Sequence, residues 1–396
     1  MDRRKICIVT STRADWGLLS GVAKGLRDRP DVDLSIIATN MHLQEKYGMT
    51  VREIEDDGFE VDERVPMPTA SDSPLDTALA TAECLAGTAR ALERLKPDIL
   101  LILGDRYEML AVATAATILR IPIAHIAGGE ISEGAIDDSI RHALTKLSTL
   151  HFTSTDAYRN RVIAMGEDRR NVFNVGSPGV YNIEHDPVVS KEELEEFIGM
   201  TIGAGTLLVT LHPATRDTVP VGERCRALLD ALDTFHHNKI VFTYPNNDPE
   251  GAVIIDMINE YARQNPERVA VVPSLGRARY LSMLRYVAAV VGNSSSGIVE
   301  VPSLHIPTVD IGIRQRGRIA ANSVIHCEAD ADSIRDAILF ALSPAGKRAA
   351  AEAENPYHRP DTPRLIIDTL TSVRLADIGV KRFVDPYPIH NIPVEE

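Results

Sequence analysis

Residues 98–103 read Asp-Ile-Leu-Leu-Ile-Leu and run straight into Gly104-Asp105. An unbroken apolar run that stops at a glycine cannot alternate between core and water, so it predicts a strand buried on both faces. Similar runs recur at 6–9, 32–38, 121–126 and 172–175, with helix-like stretches at 14–27 and 74–96 between them. Strands of this kind separated by helices imply a parallel sheet covered above and below. The pattern then restarts, with strands predicted at 207–211, 240–243, 269–272 and 287–291. A chain of 396 residues exceeds one ordinary core and suits two. The fold class is therefore α/β, with two Rossmann-like domains facing a cleft. The expected divisions are 1–183 and 190–360, with a polar linker at 184–191. In the remainder, 361–396, a helix carries Leu365, Ile366, Ile367, Leu370 and Val373 on roughly one face and is expected to cross back onto the first domain.

Ligands of open α/β sheets bind at the carboxyl ends of the strands, so the loops after each run carry the argument. The first, Thr10-Ser-Thr-Arg-Ala-Asp15, sets Arg13 between a strand and a helix, as a capping neighbour or a ligand contact. Gly104-Asp-Arg-Tyr-Glu108 puts Asp105 at the cleft floor, where it either caps a helix or serves as a base. The densest segment follows the next strand: His125, Gly128-Gly129, Glu130, Asp137, Asp138, Arg141 and His142 fall within eighteen residues, 125–142. The glycines let backbone approach a ligand, and Asp138, Arg141 and His142 share one helical turn.

In the second half, His212 directly follows the 207–211 run, and Tyr244-Pro-Asn-Asn-Asp248, with Asn246, follows the next strand. Gly292-Asn-Ser-Ser-Ser-Gly297 lies between a strand and a helix, where amides and the hydroxyls of Ser294, Ser295 and Ser296 can cradle an anion. Glu300 is one turn on, placed for ribose hydroxyls, and Arg314 and Arg318 can offset a diphosphate. A Walker loop is absent from the sequence. These loops together describe a nucleotide diphosphate held mainly by the second half, with carboxylate chemistry from the first.

A formal net charge of −14 argues against non-specific nucleic-acid binding but leaves room for a phosphate held by local amides and arginines. Cys7, Cys84, Cys225 and Cys327 are far apart, with neither metal nor redox spacing. No run approaches the roughly 20 apolar residues of a membrane span, and residues 5–10 are too short for a signal segment. The expectation is a reduced, cytoplasmic enzyme with no membrane partner.

Thr12-Arg-Ala-Asp15, Gly104-Asp-Arg-Tyr-Glu108, His125-x-x-Gly-Gly-Glu130, Ile136-Asp-Asp-Ser-Ile-Arg-His142 and Gly292-Asn-Ser-Ser-Ser-Gly297 together resemble the hydrolysing UDP-N-acetylglucosamine 2-epimerases. The resemblance implies the GT-B architecture, a homodimer or homotetramer, no cofactor or metal, and a UDP-sugar substrate. It implies conversion of UDP-N-acetylglucosamine and water to N-acetylmannosamine and UDP, through anti elimination to a 2-acetamidoglucal and then hydration. A sister branch performs the same reaction on UDP-2,4-diacetamido-2,4,6-trideoxy-glucose. By resemblance Asp105, Glu130 and Asp137 are the acid/base carboxylates, and His212, Arg13 and Asn246 contact sugar or phosphate. Ser294, Ser295, Glu300 and Arg314 hold UDP, while His125, Arg141 and His142 complete the substrate site. Some members carry glutamate two residues after the strand histidine, where this chain has Ala127. A GT-B glycosyltransferase and a non-catalytic nucleotide-sugar sensor are the rival readings, and the carboxylate density over 105–138 counts against the transferase.

Overall fold

The computed structural model describes residues 3–69, 71, 73–214, 216–245 and 250–385. Its strands are β1 Arg4–Thr10, β2 Val32–Thr39, β3 Glu63–Val65, β4 Ile99–Leu103, β5 Ile123–Ile126, β6 Leu150–Thr153 and β7 Val172–Asn174, then β8 Leu207–Thr210, β9 Ile240–Thr243, β10 Val269–Val272, β11 Ala289–Gly292, β12 Thr308–Ile311 and β13 Val324–Cys327. They form a seven-stranded sheet, ordered β3-β2-β1-β4-β5-β6-β7, and a six-stranded sheet, ordered β10-β9-β8-β11-β12-β13. The strand pairings are parallel, as continuous apolar runs require; every residue of β4 is buried.

Both sheets reverse direction once, between β1 and β4 and between β8 and β11. At such a switch point the loops after neighbouring strands diverge to opposite faces and leave a crevice. Ser11 and Gly104 flank one crevice, and Leu211 and Asn293 flank the other.

Helices cover both faces of each sheet. Helix Arg13–Arg27 turns Trp16, Leu19, Val22 and Leu26 into the core beneath β1, and the late helix Thr362–Ser372 adds Ile366, Ile367 and Leu370 to that core. Arg4 ties this helix down by donating to the Leu370 and Val373 carbonyls at 2.8 and 2.6 Å. Behind the first sheet, Lys381 of the C-terminal segment donates to the Thr145 carbonyl at 3.0 Å and pairs with buried Glu167, which His151 and Lys146 also contact. Among the described residues no helix is long and apolar enough to cross a membrane.

Three local departures from the expected elements have plain causes. β5 begins at Ile123 rather than 121, because Pro122 has no N–H for the ladder. β6, Leu-His-Phe-Thr, escapes an apolar-run reading because fully buried His151 interrupts it. The helix after the serine loop is one turn only, Ser296–Val299, running into a 3-10 turn at Val301–Leu304, so its dipole is far smaller than a full helix would give.

Candidate active site

The two crevices open into one cleft made of two connected chambers, each of about 1130 Å³ including its open mouth. The first holds Asp105, Glu130, Asp137 and Arg141 from the first sheet's loops. The second holds Arg13, His212 and Ser294. Ser295, Glu300 and Arg314 line both and so mark the junction. His125 and His142 line neither chamber, and Asn246 lies outside the described residues.

In the first chamber Asp105 and Glu130 are each held by a buried guanidinium. Arg141, 1% exposed on helix Asp137–Leu147, pairs with Asp105 and also donates to the Glu130 carbonyl and the Ser132 hydroxyl, both at 3.1 Å. Arg318, from the loop after β12, pairs with Glu130 and donates to the same Ser132 hydroxyl at 3.3 Å. Arg318, expected to offset diphosphate charge, lines the cleft with its Nη atoms on a carboxylate and a hydroxyl from loops of the facing sheet. Ser154 donates to the other Glu130 oxygen at 2.8 Å, so both oxygens are engaged. Burial, with Arg318 beside it, presses Arg141 well below the ordinary arginine range. Burial is the largest influence on Arg318 and opposes its charge, but Glu130, Tyr357, Tyr158 and Glu300 together hold that guanidinium above its usual value.

His125 acts behind the wall. Fully buried, it donates from Nε2 to the Gly104 carbonyl at 2.6 Å, which fixes the turn that presents Asp105. Burial pushes its pKa down to about 4, against the hydrogen bond to Gly104, so it is neutral at physiological pH. His142 is half-buried with Nε2 3.8 Å from Asp138. Asp138 in turn accepts from the Ser132 N–H at 2.7 Å, so these residues shape the loop that carries Ser132.

The second chamber depends on Asn293. Its Oδ1 accepts from the His212 N–H at 2.7 Å and its Nδ2 donates to the His212 carbonyl at 2.9 Å. Its own carbonyl accepts from Arg314 at 3.1 Å and Gln315 at 2.9 Å. One residue, by its side chain towards His212 and its main-chain carbonyl towards Arg314 and Gln315, thus brackets the loops after β8, β11 and β12. Gly292 makes the bracket possible: at φ +139° a Cβ there would sit 1.9 Å from the Thr210 carbonyl oxygen. Burial, then Arg314 and Arg106, hold His212 well below the usual histidine range, so it faces the chamber neutral. Burial raises the Glu300 carboxyl, and Tyr280 donates to Ser296 at 2.7 Å nearby.

The two halves meet tightly at the cleft's rim. A Cβ at Gly134 would lie 2.6 Å from the Ile313 carbonyl oxygen, and Arg216 N–H donates to the Gly134 carbonyl at 3.1 Å. Opposite, Arg277 donates to Gly17 O at 2.9 Å and pairs with Asp186 at 2.7 Å, pinning the second sheet's helix Gly276–Met283 to helix Arg13–Arg27. Sequence reasoning missed Arg106, Ser132, Gln315, Arg277 and Tyr280 as cleft residues. Arg106 was legible in principle, being next to Asp105 after a buried strand; the others have no local signal. Taken together, carboxylates at one end and arginines, serines and a neutral histidine at the other can move a proton on carbon while an anionic group departs.

The comparisons with known proteins agree with this layout. Residues 24–371 match the family model described as UDP-N-acetylglucosamine 2-epimerase. The chain is 36% identical over 386 residues to the GDP/UDP-N,N'-diacetylbacillosamine 2-epimerase (hydrolyzing) of Campylobacter jejuni, covering 97% of this chain and 100% of that protein. It is 37% identical over 355 residues to the UDP-N,N'-diacetylbacillosamine 2-epimerase (hydrolyzing) of Legionella pneumophila, covering 89% and 92%. Its fold matches the crystal structure of the UDP-GlcNAc 2-epimerase of Neisseria meningitidis bound to UDP-GlcNAc with a TM-score of 0.77 at 18% identity, covering 92% and 99% of the two chains. The two facing parallel sheets are those of the GT-B architecture, and the chain belongs to the UDP-N-acetylglucosamine 2-epimerase family.

Proposed function

We propose that this chain is a hydrolysing 2-epimerase of UDP-2,4-diacetamido-2,4,6-trideoxy-glucose (UDP-N,N'-diacetylbacillosamine), releasing UDP and the corresponding diacetamido-trideoxy-mannose. The observation that carries the sugar is that two relatives at 36% and 37% identity, spanning nearly all of this chain, both bear that substrate in their names. UDP-N-acetylglucosamine, the namesake sugar of the family, is the substrate to compare against.

In this reading UDP occupies the second chamber, with Ser294, Ser295, Glu300 and Arg314 at the nucleotide and diphosphate and Arg13 and His212 beside the phosphate. The sugar projects into the first chamber. Asp105 takes the C2 proton as the C1–O bond breaks and UDP leaves, giving a C1=C2 double bond. Water then adds its oxygen at C1 while Asp137 returns a proton to C2 on the other face. Glu130, with both oxygens engaged, fixes the field around these groups. Neutral His212 offers the departing phosphate a hydrogen bond without a competing proton.

The test is kcat/KM for the two UDP-sugars measured side by side. A value at least about tenfold higher for the diacetamido-trideoxy sugar supports the proposal. Preference for UDP-N-acetylglucosamine transfers the assignment to the other branch.

A further inference from the structure

Behind the first chamber, two tyrosines grip both backbone polar groups of Ile319. Its N–H donates to the Tyr158 hydroxyl at 2.9 Å, and its carbonyl accepts from the Tyr357 hydroxyl at 2.8 Å. The two hydroxyls lie 2.9 Å apart. Each has one proton, and that of Tyr357 goes to a carbonyl that can only accept, so Tyr158 donates to Tyr357. The bonds therefore close a ring that runs from Ile319 N–H through Tyr158 and Tyr357 back to the Ile319 carbonyl. Both tyrosines are 0% exposed, and burial pushes both phenols up, so each keeps its proton. Ile319 follows directly on Arg318, whose guanidinium pairs with Glu130. The helix that carries Tyr158, Asp156–Ala164, also holds the other side of that ion pair. Its Tyr158 carbonyl oxygen packs so closely on Gly129, the neighbour of Glu130, that a Cβ there would lie 2.6 Å away, and Arg161 donates to the Gly129 carbonyl.

We propose that Tyr158 and Tyr357 are positioning residues for the reaction, their hydroxyls fixing the backbone at Ile319 and so holding Arg318 on Glu130. Neither tyrosine lines the cleft, so both act through Arg318 rather than on the substrate. The other end of the loop is moored separately, Arg314 and Gln315 on the Asn293 carbonyl, so the brace governs the Glu130 end and leaves the UDP end in place. Loss of the Tyr158 hydroxyl bares the Ile319 N–H, and loss of the Tyr357 hydroxyl bares the Ile319 carbonyl. Either loss also strips a partner from the remaining tyrosine, so the two hydroxyls act as one unit. The inference rests on the proposed reading that Glu130 fixes the field around the reacting sugar.

The experiment compares wild type, Tyr158→Phe, Tyr357→Phe and the double variant. It measures kcat and KM with whichever of the two UDP-sugars wild type turns over faster, UDP affinity by calorimetry, and amide exchange by mass spectrometry. Phenylalanine keeps each aromatic ring in place and removes only the hydroxyl. Each single variant is expected to lose about tenfold or more in kcat with KM and UDP affinity within about threefold, and to exchange the 312–320 peptide at least about fivefold faster. The double variant is expected to fall within about threefold of the worse single one, because the ring is already open. Ile338→Val, in the core of the second sheet, controls for lost stability and should keep the wild-type kcat. The proposal is overturned by kcat within about threefold of wild type in both single variants, or by losses that multiply in the double variant. It is equally overturned by a loss of UDP affinity as large as the loss in kcat, or by an equal loss in Ile338→Val. A thermal melt confirms that each variant is folded; if one single variant is not, the other decides. A wild type that turns over neither UDP-sugar sinks the functional reading, and exchange then decides alone: faster exchange over 312–320 in either single variant keeps the brace, and unchanged exchange overturns it.

Discussion

Replacing Asp105 by asparagine removes one negative charge and leaves its cation behind. Arg141 is 1% exposed and cannot turn to water, so Asp105→Asn strands a buried guanidinium. Breaking a buried ion pair from one side costs about 3–5 kcal/mol. Arg141 keeps its bonds to the Glu130 carbonyl and Ser132 and has Asp138 at 3.7 Å, and the Asp105 side chain is 22% exposed. The loss therefore falls at or below the lower end of that range, about 2–3 kcal/mol, visible as a melting temperature lower by about 5–10 °C. Asp105 does not line the second chamber, so UDP affinity by calorimetry stays within about twofold of wild type, whereas turnover drops by about 10²–10⁴, the usual contribution of a positioned base. Retention of turnover within tenfold refutes the assignment of Asp105 as base. A parallel loss of UDP affinity refutes the separation of the two chambers.

Other variants probe other joints of the structure. Asp137→Asn blocks only the proton's return in the proposed cycle, so it is expected to release the unsaturated acetamidoglucal, detectable by mass spectrometry, while still freeing UDP. Asn293→Ala removes the two side-chain bonds that clamp His212 and keeps the main-chain carbonyl that Arg314 and Gln315 use, so it should weaken UDP about 5- to 30-fold with a smaller effect on the melt, the two bonds being worth roughly 1 kcal/mol each. Acid sensitivity follows from the buried histidines. His125 binds its proton near pH 4 when folded and near 6.5 when unfolded, so the unfolded chain takes up more protons between those values. Its contribution is complete above pH 6.5 and shrinks as pH falls towards 4, by about 3 kcal/mol in all. Chemical denaturation at pH 7 and pH 5 should show this slope, shallower in His125→Gln, whose amide can still donate to Gly104; an identical slope contradicts the buried neutral imidazole.

The parts of this molecule legible in its sequence are those fixed by a few neighbouring residues. β4 and its Gly104-Asp105 turn could be read because five apolar residues have no solvent face to offer. Asp105, Glu130 and Ser295 were found because each follows a strand, and strand ends are where the cleft must be. What escaped was set by partners far away in the chain. That Arg318 pairs with Glu130, 188 residues earlier, has no signal in the residues around either. His125 looked like a substrate contact because nothing local says that its ring turns back to Gly104. Arg277 and Lys381 carry no pattern at all; Arg277 ties the two sheets' helices together 260 residues from Gly17, and Lys381 closes on Glu167 from the far end of the chain.

The central claim is elimination and hydration at C2 of a UDP-sugar, and proton NMR in deuterated water tests it most directly. With UDP-2,4-diacetamido-2,4,6-trideoxy-glucose the account predicts free UDP and a manno-configured diacetamido sugar carrying deuterium at C2, because the returning proton comes from solvent. Product with its C2 hydrogen retained, or release of UDP with the gluco configuration intact, contradicts it.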